Sequence, residues 1–263
     1  MDLGLKEKVI MVAAASKGLG YGIAQAAARE GASVSIASRT KDAIWAAAQR
    51  LHDETGSETL GTVFDATDAE SIPDWTAATL DRFGRIDGLV VNAGGPPAGT
   101  FDNFDDADWQ AAFELTLLSA VRMIRSVLPS MREQGSGAIL TLTSSSVKEP
   151  IDILLLSNVM RSGVVSLVKS LSKELAGDKI RVNNLIPGRI DTDRVRALDR
   201  IRAEKQGIPV EKVTAAEEAA IPWRRYGAIE EFGRAGAFLL SDAASYITGA
   251  TLVVDGGTMR TVW

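Results

Sequence analysis

Val9-Ile10-Met11-Val12-Ala13, then Ala14-Ala15-Ser16-Lys17-Gly18-Leu19-Gly20, then Ile23-Ala24-Gln25-Ala26-Ala27-Ala28-Arg29-Glu30 read as a strand, a glycine turn and a helix, the last stopped by Gly31. A helix N-terminus offers unpaired N–H groups and partial positive charge, so this turn suits a pyrophosphate. Glycines at 18 and 20 let the backbone come close to phosphates and let the helix pack tightly on the strand. A Gly-x-Gly triplet occurs often by chance. Its place between a strand and a helix is what gives it meaning.

Outward from this stretch the alternation continues. Apolar runs at Val9–Ala13, Ser33–Ala37, Thr59–Phe64, Ile86–Val91, Ala138–Thr143, Ile180–Ile186 and Ala250–Val254 predict strands. Segments near 18–30, 41–55, 68–83, 105–133, 151–176 and 230–241 have helical length. Such alternation predicts βαβ units, hence a doubly wound (Rossmann) α/β fold with a parallel sheet of about seven strands and helices on both faces. Several strands are apolar at nearly every position, as strands covered on both sides are. No linker, repeat or low-complexity tract divides residues 1–263, which are expected to form one domain. The long interval Asp193 to Gly227 is charged and interrupted by Pro209 and Pro222. It is predicted to hold short helices, as a lid or as a fixed surface excursion.

Composition narrows the chemistry. Hydrophobic residues make up 46% of the 263 and charged residues 24%, as in soluble globular proteins. The net charge of −5, with both signs mixed, points to neither nucleic acid nor an anionic membrane. The absence of cysteine excludes disulfides, thiolate metal sites and thiol chemistry. The single histidine, His52, lies in a polar helical stretch and reads as a solvated side chain; no metal site is expected. Met1–Lys8 lacks an apolar signal core, and no apolar run approaches the roughly 18 residues of a membrane span. A cytoplasmic location is expected.

Further motifs end the other strands. Asp65, followed by Ala66, ends the third; Val91-Asn92-Ala93-Gly94 ends the fourth; Pro187-Gly188-Arg189-Ile190-Asp191-Thr192 ends the sixth. Ile247-Thr248-Gly249-Ala250 and Val253-Val254-Asp255-Gly256-Gly257 close the chain. The carboxyl ends of strands are where open α/β sheets bind ligands. With the opening turn, this order resembles the short-chain dehydrogenase/reductase family from Lys8 to Gly257, and within it the 3-oxoacyl-carrier-protein reductase group.

The resemblance implies a nicotinamide cofactor. The family motif Thr-Gly-x-x-x-Gly-x-Gly falls on Ala13 to Gly20, its first two positions now alanine, so a methyl at Ala14 is expected to crowd the backbone near the cofactor. Ser16, Lys17, Gly18, Leu19 and Gly20 complete the phosphate turn, and Asn92, Ala93 and Gly94 keep the Asn-Ala-Gly motif. Asp65, beside Ala66, matches the residue that meets the adenine; Thr192, after Pro187, Gly188 and Ile190, matches the one that holds the nicotinamide amide. Tight turns and helix caps are the competing structural explanation for these residues. An acidic residue ending the second strand would select NAD. Ser38-Arg39 stands there instead, with Lys17 in the turn, so NADP(H) is favoured over NAD(H).

The reaction residues depart from the family. Its serine matches Ser144, although Ser145 and Ser146 leave the register open. Thirteen residues on, where the family places Tyr-x-x-x-Lys, the chain reads Ser157-Asn158-Val159-Met160-Arg161, and the family asparagine falls on Thr116. Ser157 and Arg161 stand one helical turn apart on one face. A serine hydroxyl is a far weaker acid than a phenol, and arginine stays charged. Arg161 is suited to the nicotinamide ribose or to a substrate carboxylate or phosphate.

Among other residues, Tyr21, Tyr226 and Tyr246 lie in stretches that look structural, and Lys148, Glu149 and Asp152 lie near the expected site as loop charges. Arg189, Arg194, Arg196, Arg200 and Arg202 are interleaved with Asp191, Asp193 and Asp199 and read as a mixed solvated face, the alternative being contact with an anionic acyl carrier. Trp263 is either a subunit contact or a frayed end. The resemblance implies a homotetramer in which the helices near 105–133 and 151–176 pair across subunits and the last helix and strand form another contact; Val159, Val164, Val168 and Leu171 give the second of these helices more apolar positions than one sheet face requires. The function expected is NADP(H)-dependent oxidoreduction of a carbonyl/alcohol pair, on a small molecule or an acyl thioester. The alternative is a cofactor-binding protein without catalysis.

Overall fold

Val9–Ala13 (β1) is buried along its whole length, and its side chains divide the core. Ile10 and Val12 join one apolar cluster, while Met11 and Ala13 join the other. This is the two-residue period of a strand covered on both faces. In the computed structural model, which describes residues 2–262, there follow α1 (Gly18–Arg29), β2 (Ser33–Ser38), α2 (Lys41–Thr55), β3 (Thr59–Val63), α3 (Ser71–Phe83) and β4 (Gly88–Val91). Next come α4 (Asp106–Ala112), α5 (Ser119–Gln134), β5 (Gly137–Leu142), α6 (Leu155–Glu174) and β6 (Ile180–Pro187). The chain then forms α7 (Asp193–Gln206), α8 (Val210–Ala220), α9 (Ile229–Leu240) and β7 (Thr251–Val254).

The strands form one parallel sheet of order β3-β2-β1-β4-β5-β6-β7. The chain winds outward from β1 to β3 and then returns to the other side of β1. The crevice at the carboxyl ends of β1 and β4 is therefore the switch point, where doubly wound sheets bind ligands. Ile23, Ile44 and Phe232 of α1, α2 and α9 are fully buried on one face; Trp75, Met123, Val164 and Val168 of α3, α5 and α6 are buried on the other. Each such side chain contributes about 1.5–3 kcal/mol of burial.

The predicted strands are all present, with bounds shifted by at most two residues. Three differences matter. The helix expected over 105–133 begins at a reciprocal cap between Asp105 and Asp108, then is interrupted by a π-helical turn at Phe113–Leu118. Such wide turns mark places where the regular ladder is given up, frequently at functional sites. The interval 193–227 is largely helical, and its ends are pinned together: Asp191 N–H donates to the Gly227 carbonyl at 2.8 Å, and Gly227 N–H to the Arg189 carbonyl at 2.9 Å. Finally, Val164 and Val168 are consumed by the sheet face, and of the apolar surplus read on α6 it is Val159, 47% exposed, that faces outward. No helix among the described residues is long and apolar enough to cross a membrane. Trp263 lies outside the described residues.

Candidate functional site

The turn between β1 and α1 is built by main-chain geometry. Ala14 has φ +50° and Gly18 φ +66°, both left-handed. A Cβ on Gly20 would stand 2.9 Å from the Ala14 carbonyl oxygen, so glycine is needed for α1 to seat on β1. The methyl expected to crowd the backbone at Ala14 thus sits where the chain prefers glycine for conformational reasons. Leu19 packs against the core beneath the turn. Lys17 occupies the N-cap position in an extended conformation, and no side chain caps α1. The first N–H groups of this helix are left for another acceptor. Asn92, at the end of β4, spans the crevice: its Nδ2 donates to the carbonyls of Ala13 and Ala14 at 3.3 and 3.4 Å. Ala93 packs on the core beside it, and Gly94 is exposed.

At the end of β2, the Ser38 hydroxyl is buried without a hydrogen-bond partner, and Arg39 is exposed. Asp65 follows β3 with its carboxylate held by Thr67, which donates from its N–H at 3.0 Å and its hydroxyl at 2.8 Å. These bonds, with the charge of Arg39, hold the Asp65 carboxyl below its ordinary range. Ala66 is buried next to it. Beyond β6, Pro187 and Gly188 are half-buried and Ile190 joins the core. The Thr192 hydroxyl oxygen caps α7 by accepting the Val195 N–H at 3.3 Å, so the helix-cap explanation does apply to that residue.

Helix α7 lies against the phosphate turn. The Lys17 ammonium pairs with Asp193 at 3.0 Å, and both side chains are largely exposed. Such surface pairs are worth about 0–1 kcal/mol, less than a hydrogen bond to a phosphate. Lys17 can therefore exchange Asp193 for a nucleotide.

The candidate reaction face, formed by the residues matched to the family's reaction positions, lies at the end of β5. Ser144 is half-buried, and its Oγ accepts the Ser146 N–H at 3.2 Å, which leaves its own proton to donate; the Ser146 hydroxyl is buried and unpartnered. The register question among the three serines narrows accordingly, since Ser146 points into the protein. Ser157 is buried on α6, and its Oγ accepts from Arg161 Nε at 3.2 Å. Arg161 Nη1 donates to the Leu142 carbonyl at 3.1 Å. Burial, and then the nearby charge of Arg194, lower Arg161 to about 10, so it remains a cation at neutral pH. Thr116 is buried in the π-helical turn with its hydroxyl unpartnered.

Two residues here escaped the sequence reading. Arg194 was grouped with a solvated arginine face, yet its guanidinium lies over Gly95, where a Cβ would stand 2.9 Å from Nη2. The signal available was Gly95 itself, which extends the Asn-Ala-Gly motif. Thr67, which fixes Asp65, carried no signal beyond its spacing. Of the rest of the arginine face, Arg189 pairs with Asp199 and Glu217, Arg202 with Glu217, and Arg196 with Asp191, while Arg200 is exposed.

No described tyrosine is free at the reaction face. Tyr21 meets Arg50 and Glu54, Tyr226 donates to Asp199, and Tyr246 is fully exposed. Glu149 accepts the Arg260 N–H. A cleft of about 650 Å³ lined by Lys8, Asp87, Lys179 and Arg181 opens at the opposite, amino-terminal edge of the sheet, remote from these groups. At the carboxyl edge, the uncapped α1 terminus, the glycine turn and the orphaned Ser38 hydroxyl fit a phosphate-bearing dinucleotide.

The family model described as enoyl-(acyl carrier protein) reductase matches residues 13–259. The 3-oxoacyl-[acyl-carrier-protein] reductase FabG of Chlamydia muridarum is 32% identical over 259 residues, which cover 98% of this chain and 99% of that protein. L-sorbose reductase from Gluconobacter frateurii, solved with NADPH and L-sorbose, has the same fold with a TM-score of 0.95, at 30% identity and 100% coverage of both chains. An NADPH-bound short-chain oxidoreductase from Pseudomonas aeruginosa PAO1, described as containing an atypical catalytic centre, gives a TM-score of 0.89 at 28% identity, covering 98% of this chain and 99% of that one.

Proposed function

The chain belongs to the short-chain dehydrogenase/reductase family, and from that premise we infer that it is an NADP(H)-dependent oxidoreductase acting on a carbonyl/alcohol pair. One observation carries the cofactor assignment: at the carboxyl edge of the sheet, the uncapped α1 terminus and the unpartnered Ser38 hydroxyl both lack acceptors or donors that a dinucleotide would bring. The N–H groups of Ser16 to Gly20 bind the pyrophosphate. Ser38, Arg39 and Lys17 bind the 2′-phosphate, and Asp65 and Ala66 flank the adenine. Asn92 to Gly94 line the crevice, while Pro187, Gly188, Ile190 and Thr192 hold the nicotinamide end.

When bound, a nicotinamide dinucleotide supplies or accepts the hydride. The protein's part is to steady charge and protons at the substrate oxygen. Ser144 donates a hydrogen bond to that oxygen. Arg161, held by Ser157 and Leu142, lays a fixed positive charge beside it, which favours developing negative charge there. With serine where the family has tyrosine, the proton itself comes from water or from the substrate, and turnover of ordinary ketones is slow.

Binding of NADPH and NADH in matched low-salt and high-salt buffers tests the cofactor; equal affinity at low salt would overturn the NADP(H) assignment. A second reading, a nucleotide-binding protein without catalysis, is favoured by the bond between Ser157 and Arg161, which turns the Ser157 hydroxyl oxygen to a neighbouring side chain. Turnover across ketones and 3-oxoacyl thioesters separates the two. The reading extends to a cytoplasmic homotetramer in which the faces of α5 and α6 pair about two-fold axes. Light scattering at micromolar concentration giving only the 27.9 kDa of one chain would refute the tetramer.

A further inference from the structure

Several arginines at the carboxyl edge of the sheet have found carboxylates. Arg189, Arg196 and Arg202 each do, through Asp199, Asp191 and Glu217. Arg161 and Arg194 differ. Neither enters an ion pair among the described residues, and the neighbouring charge that acts on Arg161 is the like charge of Arg194.

The geometry leaves donors to spare. Arg161 spends Nε on the Ser157 hydroxyl at 3.2 Å and Nη1 on the Leu142 carbonyl at 3.1 Å, both neutral acceptors. Its Nη2 makes no hydrogen bond among the described residues and is not among the buried orphan atoms, so it keeps contact with solvent. Arg194 reaches across from the first turn of α7 to lie on Gly95, just past the end of β4, and a side chain at 95 would displace it. Two cations thus stand near the ends of β4 and β5, and neither has a carboxylate partner among the described residues. A buried cation beside a like charge is costly until a counter-charge arrives. Burial and Arg194 together lower Arg161, and an anion beside it would raise it again.

We propose that Arg161 and Arg194 clamp the carboxylate of an oxo acid or hydroxy acid substrate. The proposal rests on the oxidoreductase reading and narrows it, from neutral ketones and thioesters to compounds with a free carboxylate close to the reacting carbon. The guanidinium fork of Arg194 and the spare donors of Arg161 match the two oxygens of a carboxylate. A phosphate of the cofactor has the same chemistry. The substrate is favoured because Arg161 is bonded to Ser157 on the reaction face, whereas the phosphates have the N–H groups of the α1 turn and Lys17.

Oxamate and its neutral counterpart oxamide are titrated by calorimetry into the protein saturated with NADPH, for the natural chain, Arg194→Gln and Arg161→Lys. Arg194 is exposed on α7, so its replacement leaves the core intact. Oxamate should bind at least about tenfold more tightly than oxamide, as a charge-assisted pair requires. Arg194→Gln should weaken oxamate about tenfold or more, with oxamide and NADPH affinities essentially unchanged. Arg161→Lys, which loses the fork, should also weaken oxamate. Equal binding of oxamate and oxamide overturns the proposal, as does loss of NADPH affinity in Arg194→Gln with oxamate spared, which would assign the clamp to the cofactor. Failure of the natural chain to bind either dinucleotide would remove the oxidoreductase reading, and the substrate class with it. Oxamate titrated into the free protein, with and without Arg194→Gln, then still decides whether the two arginines hold a carboxylate.

Discussion

The phosphate turn and the reaction face sit on the same edge of one sheet and have been built in opposite ways. In the turn, the groups that would meet a ligand are mostly main-chain, and they are left unspent: α1 has no side-chain cap, and the Ser38 hydroxyl has no partner. On the proposed reaction face the candidate groups are side chains, and they are already engaged, Arg161 with the Ser157 hydroxyl and the Leu142 main-chain carbonyl. A site made of backbone tolerates substitution as long as the chain can hold its path. Ala14 does so in a left-handed conformation. A site made of side chains changes its chemistry whenever a residue type changes, because a hydroxyl cannot replace a phenol as an acid, nor a guanidinium an amine as a proton carrier.

The sharpest way to break this contrast is to restore the side chains alone. The double change Ser157→Tyr with Arg161→Lys should raise turnover of simple ketones about 100-fold or more, the usual scale of general acid–base catalysis, while NADPH affinity moves little. Thr116 would still interrupt a relay through the π-helical turn, so the gain should fall short of full family activity. Brisk reduction of simple ketones by the natural chain, insensitive to Ser157→Ala and Ser144→Ala, would show that the reaction lies on other residues.

A smaller effect is expected where the turn does use side chains. Arg39→Asp should weaken NADPH binding by about 10- to 100-fold, the loss of one or two charge-assisted hydrogen bonds, with NADH affected far less. The difference should shrink at high salt, since Arg39 is exposed. Equal losses for both nucleotides would mean that Arg39 acts on the fold of the β2 end rather than on the 2′-phosphate.

The contrast also explains what the sequence could reveal. The sheet was legible because β1, β4 and β5 are apolar at nearly every position and their spacing leaves room for one helix each. The phosphate turn was legible because glycine reports backbone conformation directly, as at Gly18 and Gly20. The break at Phe113–Leu118 was not, since a π-helical turn keeps the composition of the helix around it. Nor was the separation of Arg194 from Arg189, Arg196 and Arg202. Along the chain these are alike, and only the folding of α7 across β4 sends one over Gly95 while the others find Asp199, Asp191 and Glu217.

The smallest effect tests the backbone half of the contrast by itself. Ala14 holds φ +50° at the residue that begins the phosphate turn, and Asn92 donates to its carbonyl, so the conformation is imposed by the crevice. A left-handed alanine costs about 1–2 kcal/mol that glycine does not. Glycine in turn loses roughly 0.4–1 kcal/mol more chain entropy on folding. Ala14→Gly should therefore stabilise the protein by about 0.5–1 kcal/mol and raise the melting temperature by about 1–3 °C for a domain of this size. If the Ala14 methyl also crowds the phosphates, NADPH affinity should rise in the same variant. Thermal unfolding of the free protein isolates the first effect, because no nucleotide is present to add its own stabilisation. A lower melting temperature would mean that the methyl makes packing contacts worth more than the strain, and that the turn depends on side chains after all.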